Sequence, residues 1–317
     1  GAARYHRFRR IEHIHAEVQV GIANQRLGFI GCVEISGPLW PHEGQVFPAL
    51  RGQEVSLDIE NLLDLVAIGT VADLAPMNRL ENRVLVRRGL AVINRAERPG
   101  IRALLEVSGI KPGAVSAMNI GFSLGPRINA AGRLESAMIA YHLLSANDYG
   151  TALRLAEQLQ TLNVQRQDLT REAQEEVRAI VESERSDTSL IFAAGEFRAG
   201  IVGLVAGRLT EEYSRPTIIM EAGEIESRAS CRSIPQFDIT HALDQCADLL
   251  VRHGGHAQAA GFTVLNDNIQ ALKSKLMGLA EASLAGQDLR PILEIDAEVE
   301  TRLLSEKLVH ELAMLEP

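Results

Sequence analysis

Residues 148–185, DYGTALRLAEQLQTLNVQRQDLTREAQEEVRAIVESER, decide how the chain is organised. Leu153, Ala156, Leu159, Leu162, Leu169, Ala173, Val177 and Ile180 recur at steps of three, four or seven, and no Pro or Gly interrupts from Thr151 to Ser186. At 1.5 Å per residue such a helix extends about 50 Å, longer than one small domain needs, so it reads as a connector between two lobes. Its apolar stripe is expected to be buried near both ends, with the middle more exposed.

The pattern changes on either side of this stretch. After it, short apolar strands alternate with helices: strands at Ser189–Ala194, Thr217–Met220, Ser227–Ser233 and Ala259–Leu265, and helices at Gly200–Tyr213, Asp238–Arg252 and about 267–283. Gly254 and Gly255 read as a turn. Ile292–Glu298 alternates like a strand and leads into a helix at 301–314. Before the connector, helices are expected around 80–96 and 99–107, the second with Pro99 in its first turn. Residues 1–56 read as an atypical hairpin: Ile14, Ala16, Val18 and Val20 alternate with polar residues, as do Leu27, Phe29, Gly31, Val33 and Ile35, and a loop at 37–52 follows. The expected fold is α/β, two lobes joined by a long helix, the second lobe a mixed sheet with flanking helices.

At 317 residues two domains are expected, with a fragment of a third, and 46% hydrophobic against 23% charged residues supports a real core rather than global disorder. No stretch approaches a membrane span, and no apolar segment follows the Arg-rich start as in a signal peptide. Cys32, Cys231 and Cys246 form no CxxC pair and leave one unpaired in any disulfide scheme, which points to a reducing, cytoplasmic setting. The net charge of −9 excludes a generic polyanion binder, yet residues 76–135 carry ten Lys/Arg against four Asp/Glu. Such a block marks either a focused phosphate-binding surface or a solvated helical face.

Four segments can carry chemistry. In His253-Gly254-Gly255-His256-Ala257-Gln258-Ala259-Ala260-Gly261, paired glycines let the backbone approach a ligand and His256 can donate to a phosphate oxygen; an incidental histidine at a glycine turn fits equally. In Ser230-Cys231-Arg232-Ser233, a guanidinium and two hydroxyls can converge on phosphate, with Ser230 and Arg232 on one face of a strand and Ser233 on the other; the alternative is a polar edge strand. Gly125-Pro126-Arg127-Ile128-Asn129-Ala130-Ala131-Gly132-Arg133 sets Arg127, Asn129 and Arg133 among small residues that leave them accessible to a phosphate, or else forms a loop with solvated arginines. Asp73, closing the run Leu62–Leu74, is either a metal ligand or a turn cap. His13 and His15 fall on the exposed face of the hairpin and read as solvated.

Together these segments resemble the RecJ branch of the DHH phosphoesterase superfamily, the single-strand-specific DNA exonucleases, from about Asn61 to Pro317. The run ending at Asp73 resembles the family's fourth motif, which would make Asp73 a ligand of Mn²⁺ or Mg²⁺. The segment Leu124–Arg133 resembles the part that binds DNA phosphate and leads into the connecting helix. Residues 200–208, 230–234 and 254–261 resemble the DHH-associated domain. The resemblance thus implies that Arg127, Asn129, Arg133, Ser230, Arg232, Ser233, Gly254 and Gly255 hold single-stranded DNA, with His256 catalytic over the scissile region. It implies metal-dependent 5′-to-3′ removal of nucleotides in repair and recombination.

The expected divisions are 1–56 atypical, 57–147 the carboxyl part of a DHH-type domain, 148–185 the connecting helix, 186–286 the DHH-associated domain, and 287–317 a lead-in to an oligonucleotide-binding domain. The family's Asp-x-Asp pair and Asp-His-His triplet do not occur in this sequence, and position 198 is Arg where the family commonly has His. An incomplete metal site is therefore expected. Two alternatives stand beside the exonuclease: a non-catalytic single-strand-binding protein, and a phosphodiesterase of the same superfamily acting on short oligonucleotides.

Overall fold

The computed structural model describes residues 17–20, 33–36, 59–183, 188–293 and 295–317. Strands β1 (Glu17–Val20) and β2 (Val33–Ser36) pair antiparallel, Val18 opposite Ile35. The rest of the expected hairpin, His13, His15 and the loop at 37–52 lie outside the described residues.

Two compact units follow, residues 1–129 with 140–156 and 317, and residues 130–139 with 157–316. The described part of the first is helical beyond β1 and β2: α1 (Leu63–Ala72), α2 (Leu80–Arg95), α3 (Pro99–Val107), the short α4 (Ala117–Asn119) and a π-helical turn, Ile120–Leu124. Next come α5 (Gly125–Leu134), α6 (Met138–Leu144) and α7 (Tyr149–Ser183); α5, α6 and α7 each run across the division of the chain. Gly89 lets α2 touch the backbone of α1, since a Cβ there would stand 2.1 Å from the Leu63 carbonyl oxygen. Asp64, 2% exposed, accepts from Arg98 Nε at 2.6 Å, which fixes the start of α3 where Pro99 occupies the first helical position.

Helix α7 is continuous for 35 residues. Its middle is not more exposed than its ends. Ala152, Ala156, Leu159 and Leu162 are buried, and the stripe continues through Asn163, Arg166, Thr170, Ala173, Gln174 and Val177. The buried face turns polar in the middle rather than emerging into solvent.

The second unit is α/β: β3 (Ile191–Gly195), α8 (Ala199–Tyr213), β4 (Thr217–Glu221), β5 (Glu226–Arg232), α9 (Ile239–Asp244), β6 (Leu250–His256), β7 (Ala259–Leu265), α10 (Ile269–Leu284) and α11 (Glu306–Ala313). The strands form one mixed sheet, β3-β4-β5-β7-β6, in which β3 and β4 are parallel and joined by α8 while the other pairs are antiparallel. On one face Phe192, Ile218, Met220, Cys231, Phe262 and Val264 pack on α9 and α10. On the other, Ile191, Ala193 and Ile219 pack on Ile201, Val205 and Leu209 of α8 and on Ala173 and Val177 of α7.

Three expectations are corrected here. The helix at Asp238–Arg252 is only α9, because Leu250 enters the ladder opposite Val264 and the chain must be extended from there. Gly254 and Gly255 are not a turn; they lie inside β6, opposite Gly261 and Ala260, and the turn is Ala257–Gln258. Gly255 is needed for close approach, at φ 152° with a would-be Cβ 2.4 Å from the Ala259 carbonyl oxygen. No strand forms among the described residues of 292–298, where Ile292 and Leu293 are exposed, and the following helix shortens to α11, which Ser305 caps by accepting from the Leu308 N–H.

Candidate nucleic-acid interface

Register across β5, β7 and β6 assembles two of the motifs into one surface. Arg228, Thr263 and Arg252 stand abreast, then Ser230, Gly261 and Gly254, then Arg232, Ala259 and His256. Abreast residues in an antiparallel ladder project to the same side, and successive residues alternate, so these nine share one face. The opposite alternation confirms it: Ala229, Cys231 and Phe262 are buried in the core under α9 and α10, and His253 bonds Asp244 of α9 at 2.8 Å. The result is a shelf whose central strand contributes Gly261 and Ala259 as a low floor. Cationic side chains stand along β5 on one side and along β6, about 10 Å away across two strand spacings, on the other.

Helix α8 makes room at the inner edge of the shelf. A Cβ at Gly203 would stand 3.1 Å from Ser230 Oγ and 3.3 Å from a terminal nitrogen of Arg232. Arg232 donates to Ser230 Oγ at 3.2 Å and to the Cys231 carbonyl at 2.9 Å, which fixes its guanidinium over that glycine. Gly200 allows the Arg133 backbone to lie directly on α8, and Arg133 donates to the Gly200 carbonyl at 3.2 Å.

Behind Arg232 lies a cluster of positive charge. Burial, and then the charge of Arg232, hold the Arg133 guanidinium below the usual arginine range. Arg166 on α7 is lowered by burial first, then by Arg133 and Arg208. Arg166 donates to Asn163 Oδ1 at 3.0 Å and Arg208 to Gln174 Oε1 at 2.9 Å. The side-chain partners are amides for Arg166 and Arg208 and a hydroxyl for Arg232, not carboxylates, and none of the four arginines pairs with an acid among the described residues. Arg166 is 9% exposed, and its Nε is the one buried side-chain polar atom among the described residues without a hydrogen-bond partner. Four guanidinium groups held together without counter-charge, one of them buried, favour an anion strongly.

The remaining site residues fall as follows. Ser233 lies on the far face of the sheet, buried, and donates to the Phe237 carbonyl at 2.6 Å, which gives it a structural task. Gly254 and His256 are exposed on the shelf, and the His256 carbonyl accepts from Thr240 Oγ1. Arg127 and Asn129 lie half-buried on α5; Arg127 donates to the Ser123 carbonyl at 2.7 Å, and burial lowers its pKa. Asp73 is exposed at the carboxyl end of α1, where its N–H caps the helix on Gly69 and Val71. Among the described residues no three His, Cys, Asp or Glu side chains are grouped to hold a metal ion, so the described residues do not fit a divalent centre.

Gly203 and Arg208 lie within the segment 200–208 that the sequence marks, whereas Arg166, Asn163 and Gln174 stand outside every marked segment. Their signal was present: Asn163, Arg166, Thr170 and Gln174 follow the same helical period as the apolar stripe, placing polar groups at core positions. Gly203 and Gly207 stand one turn apart on α8.

The α/β unit that carries this shelf is of the DHH-associated class: residues 187–282 match the family model described as DHHA1 domain. The chain is 35% identical over 261 residues to the single-stranded-DNA-specific exonuclease RecJ of Bacillus subtilis, covering 81% of this chain and 33% of that protein. It is 37% identical over 229 residues to RecJ of Escherichia coli, covering 69% and 40%. The crystal structure of Thermus thermophilus RecJ in complex with Mg²⁺ superposes with a TM-score of 0.72 at 33% identity, over 81% of this chain and 40% of that one, and a second Thermus structure holds Mn²⁺. The chain carries a DHHA1 domain and is similar to RecJ exonucleases over most of its own length, and it spans less than half the length of these relatives.

Proposed function

We propose that the second unit binds the phosphodiester backbone of single-stranded DNA and that the chain is part of a 5′-to-3′ exonuclease. The observation that carries this reading is the uncompensated cluster of Arg133, Arg166, Arg208 and Arg232, which opens onto the shelf through Ser230 and Arg232. Arginine forks take two phosphate oxygens at once, and the glycine floor lets a sugar-phosphate chain lie close to backbone. Gly254 and His256 border the same shelf, which supports His256 as a donor to a phosphate oxygen. Arg127 and Asn129 are further phosphate contacts within the first unit.

We read residues 57–147 as the carboxyl part of a DHH domain and 287–317 as the lead-in to an oligonucleotide-binding domain. Hydrolysis in this family draws on Mn²⁺ or Mg²⁺, which would activate water and neutralise the attacked phosphate. Asp73 alone among the described residues matches a metal motif. That gap supports a second reading, a single-strand-binding piece that does not cleave. No described helix is long and apolar enough to cross a membrane, and Cys231 and Cys246 are buried free thiols, which supports a cytoplasmic setting.

The test is to incubate the purified chain with 5′-labelled single-stranded DNA and millimolar Mn²⁺, beside Arg232→Ala and Asp73→Ala. Binding that weakens in the Arg232 variant, with release far slower than by an intact relative, is expected. Binding indifferent to Arg232 overturns the interface, and fast Asp73-dependent release overturns the incomplete metal site.

A further inference from the structure

The π-helical turn Ile120–Leu124 has a local cause. Pro126 has no N–H to return to the carbonyl four residues back, that of Phe122, and the Gly125 N–H bonds instead to the Ile120 carbonyl, five residues back. Glycine at 125 tolerates the crowding, since a Cβ there would stand 3.0 Å from that carbonyl oxygen and 3.3 Å from Ala72 Cβ. The turn is anchored by Ile120 and Leu124, both fully buried, and it carries Phe122 outward.

Phe122 is 76% exposed, whereas Phe192, Phe197, Phe237 and Phe262, the other phenylalanines among the described residues, are buried. Met118, one turn earlier, is 64% exposed. Burying either would be favourable, so an apolar partner has a role here that solvent does not fill. The charge beside it says what kind. The Arg127 guanidinium is held at 2.7 Å on the carbonyl of Ser123, the residue after Phe122. The surrounding residues 76–135 are basic in an otherwise acidic chain. An aromatic face with a fixed guanidinium one residue away matches a planar base joined to a phosphate. It does not match a purely apolar helix or strand.

We propose that Phe122, with Met118 beside it, is a stacking platform for an unpaired base of single-stranded DNA, whose adjoining phosphate is taken by Arg127. The proposal rests on the single-strand-binding reading and adds to it a site that distinguishes single strands from duplex. Paired bases stack on each other and offer no free face; an unpaired base does, and any base can use it, so the platform is indifferent to sequence. Asp73 follows Ala72, which packs on this turn, so the stacked base would lie in the corner where α1 ends.

The test uses the full chain and a single-stranded oligonucleotide carrying 2-aminopurine, whose fluorescence is quenched on stacking. Phe122→Leu should weaken single-strand binding by roughly ten-fold and lose the quench, leave the salt dependence unchanged because no phosphate contact is lost, and leave duplex binding as it was. Phe122→Tyr should restore both affinity and quench, which a merely structural role for the ring would not require. If the parent binds single strands and Phe122→Leu binds them equally with the same quench, the platform is refuted while the single-strand reading survives; a protein partner would then be the better occupant. If the parent itself does not bind single strands, the underlying reading falls and the platform with it.

Discussion

Two glycines one turn apart on α8 allow function to be separated from stability. A Cβ at Gly203 would stand 3.1 Å from Ser230 Oγ and 3.3 Å from an Arg232 nitrogen, whereas one at Gly207 would meet only Arg232 Cγ, at 4.0 Å. Alanine is favoured over glycine in a helix interior by about 0.8–1 kcal/mol, and Gly207→Ala should keep that gain, raising the melting temperature by about 2–4 °C. Gly203→Ala has to push two side-chain tips aside by a few tenths of an ångström; both are flexible ends, so its stability should fall between the parent's and the Gly207 variant's. Its cost appears in binding. A hydrogen bond to a charged group contributes about 1.5–3 kcal/mol, and losing roughly half of one by displacing the Arg232 guanidinium weakens single-strand binding about three- to twelve-fold. The assay pairs thermal melting without DNA with fluorescence anisotropy of a labelled single strand. The reasoning is refuted if Gly203→Ala binds as tightly as Gly207→Ala, or if both weaken equally.

Three further outcomes follow from single groups. Arg166→Met alone orphans the Asn163 amide, at a cost of about 1–3 kcal/mol that offsets relief of the buried charge, so the paired variant Asn163→Leu/Arg166→Met should melt higher than the parent without DNA while binding DNA less well; a lower melting point for the pair contradicts the uncompensated cluster. Ser233→Ala removes the bond to the Phe237 carbonyl and should lower stability by about 1 kcal/mol with DNA affinity unchanged, and lost affinity at intact stability would return Ser233 to the interface. The Cys231 thiol is pushed up to about 12 by burial, against a smaller opposing effect of Arg232. The folded chain therefore holds a proton that the unfolded chain loses, and this contribution is complete below pH about 9 and declines toward 12 by about 1.4 kcal/mol per pH unit. Melting between pH 9 and 10.5 should fall more steeply for the parent than for Cys231→Ala, and parallel slopes contradict it.

Much of the fold was legible because periodicity and burial coincide. The long helix, the strands around Ile191 and Thr217, and the split of Ser230 and Arg232 from Ser233 all follow from counting residues along one face. The misreadings have physical causes. Ile239, Ala242, Leu243, Cys246, Leu249 and Leu250 keep helical spacing into β6, so apolar period alone cannot show where pairing with β7 takes over. Gly254-Gly255 looks like a turn, but its use is to bring two strands close, which needs the partners Gly261 and Ala260 to be recognised. Alternation at Ile292–Glu298 lacks a neighbouring strand to pair with among the described residues. Arg166 escaped notice because a charged residue on a long helix is ordinarily solvated; only its phase with Leu159, Leu162 and Val177 marks it as buried.

The most direct test of the interface is the salt dependence of single-strand binding by the whole chain, measured for the parent and for Arg133→Ala, Arg208→Ala and Arg232→Ala. Each phosphate contact on a single strand contributes about 0.7 to the slope of log K against log salt. The parental slope should be steep and should fall by about that amount or less in each variant, with affinity reduced most at low salt. Variants whose slopes and affinities superimpose on the parent's would show that the arginine cluster does not hold the DNA backbone.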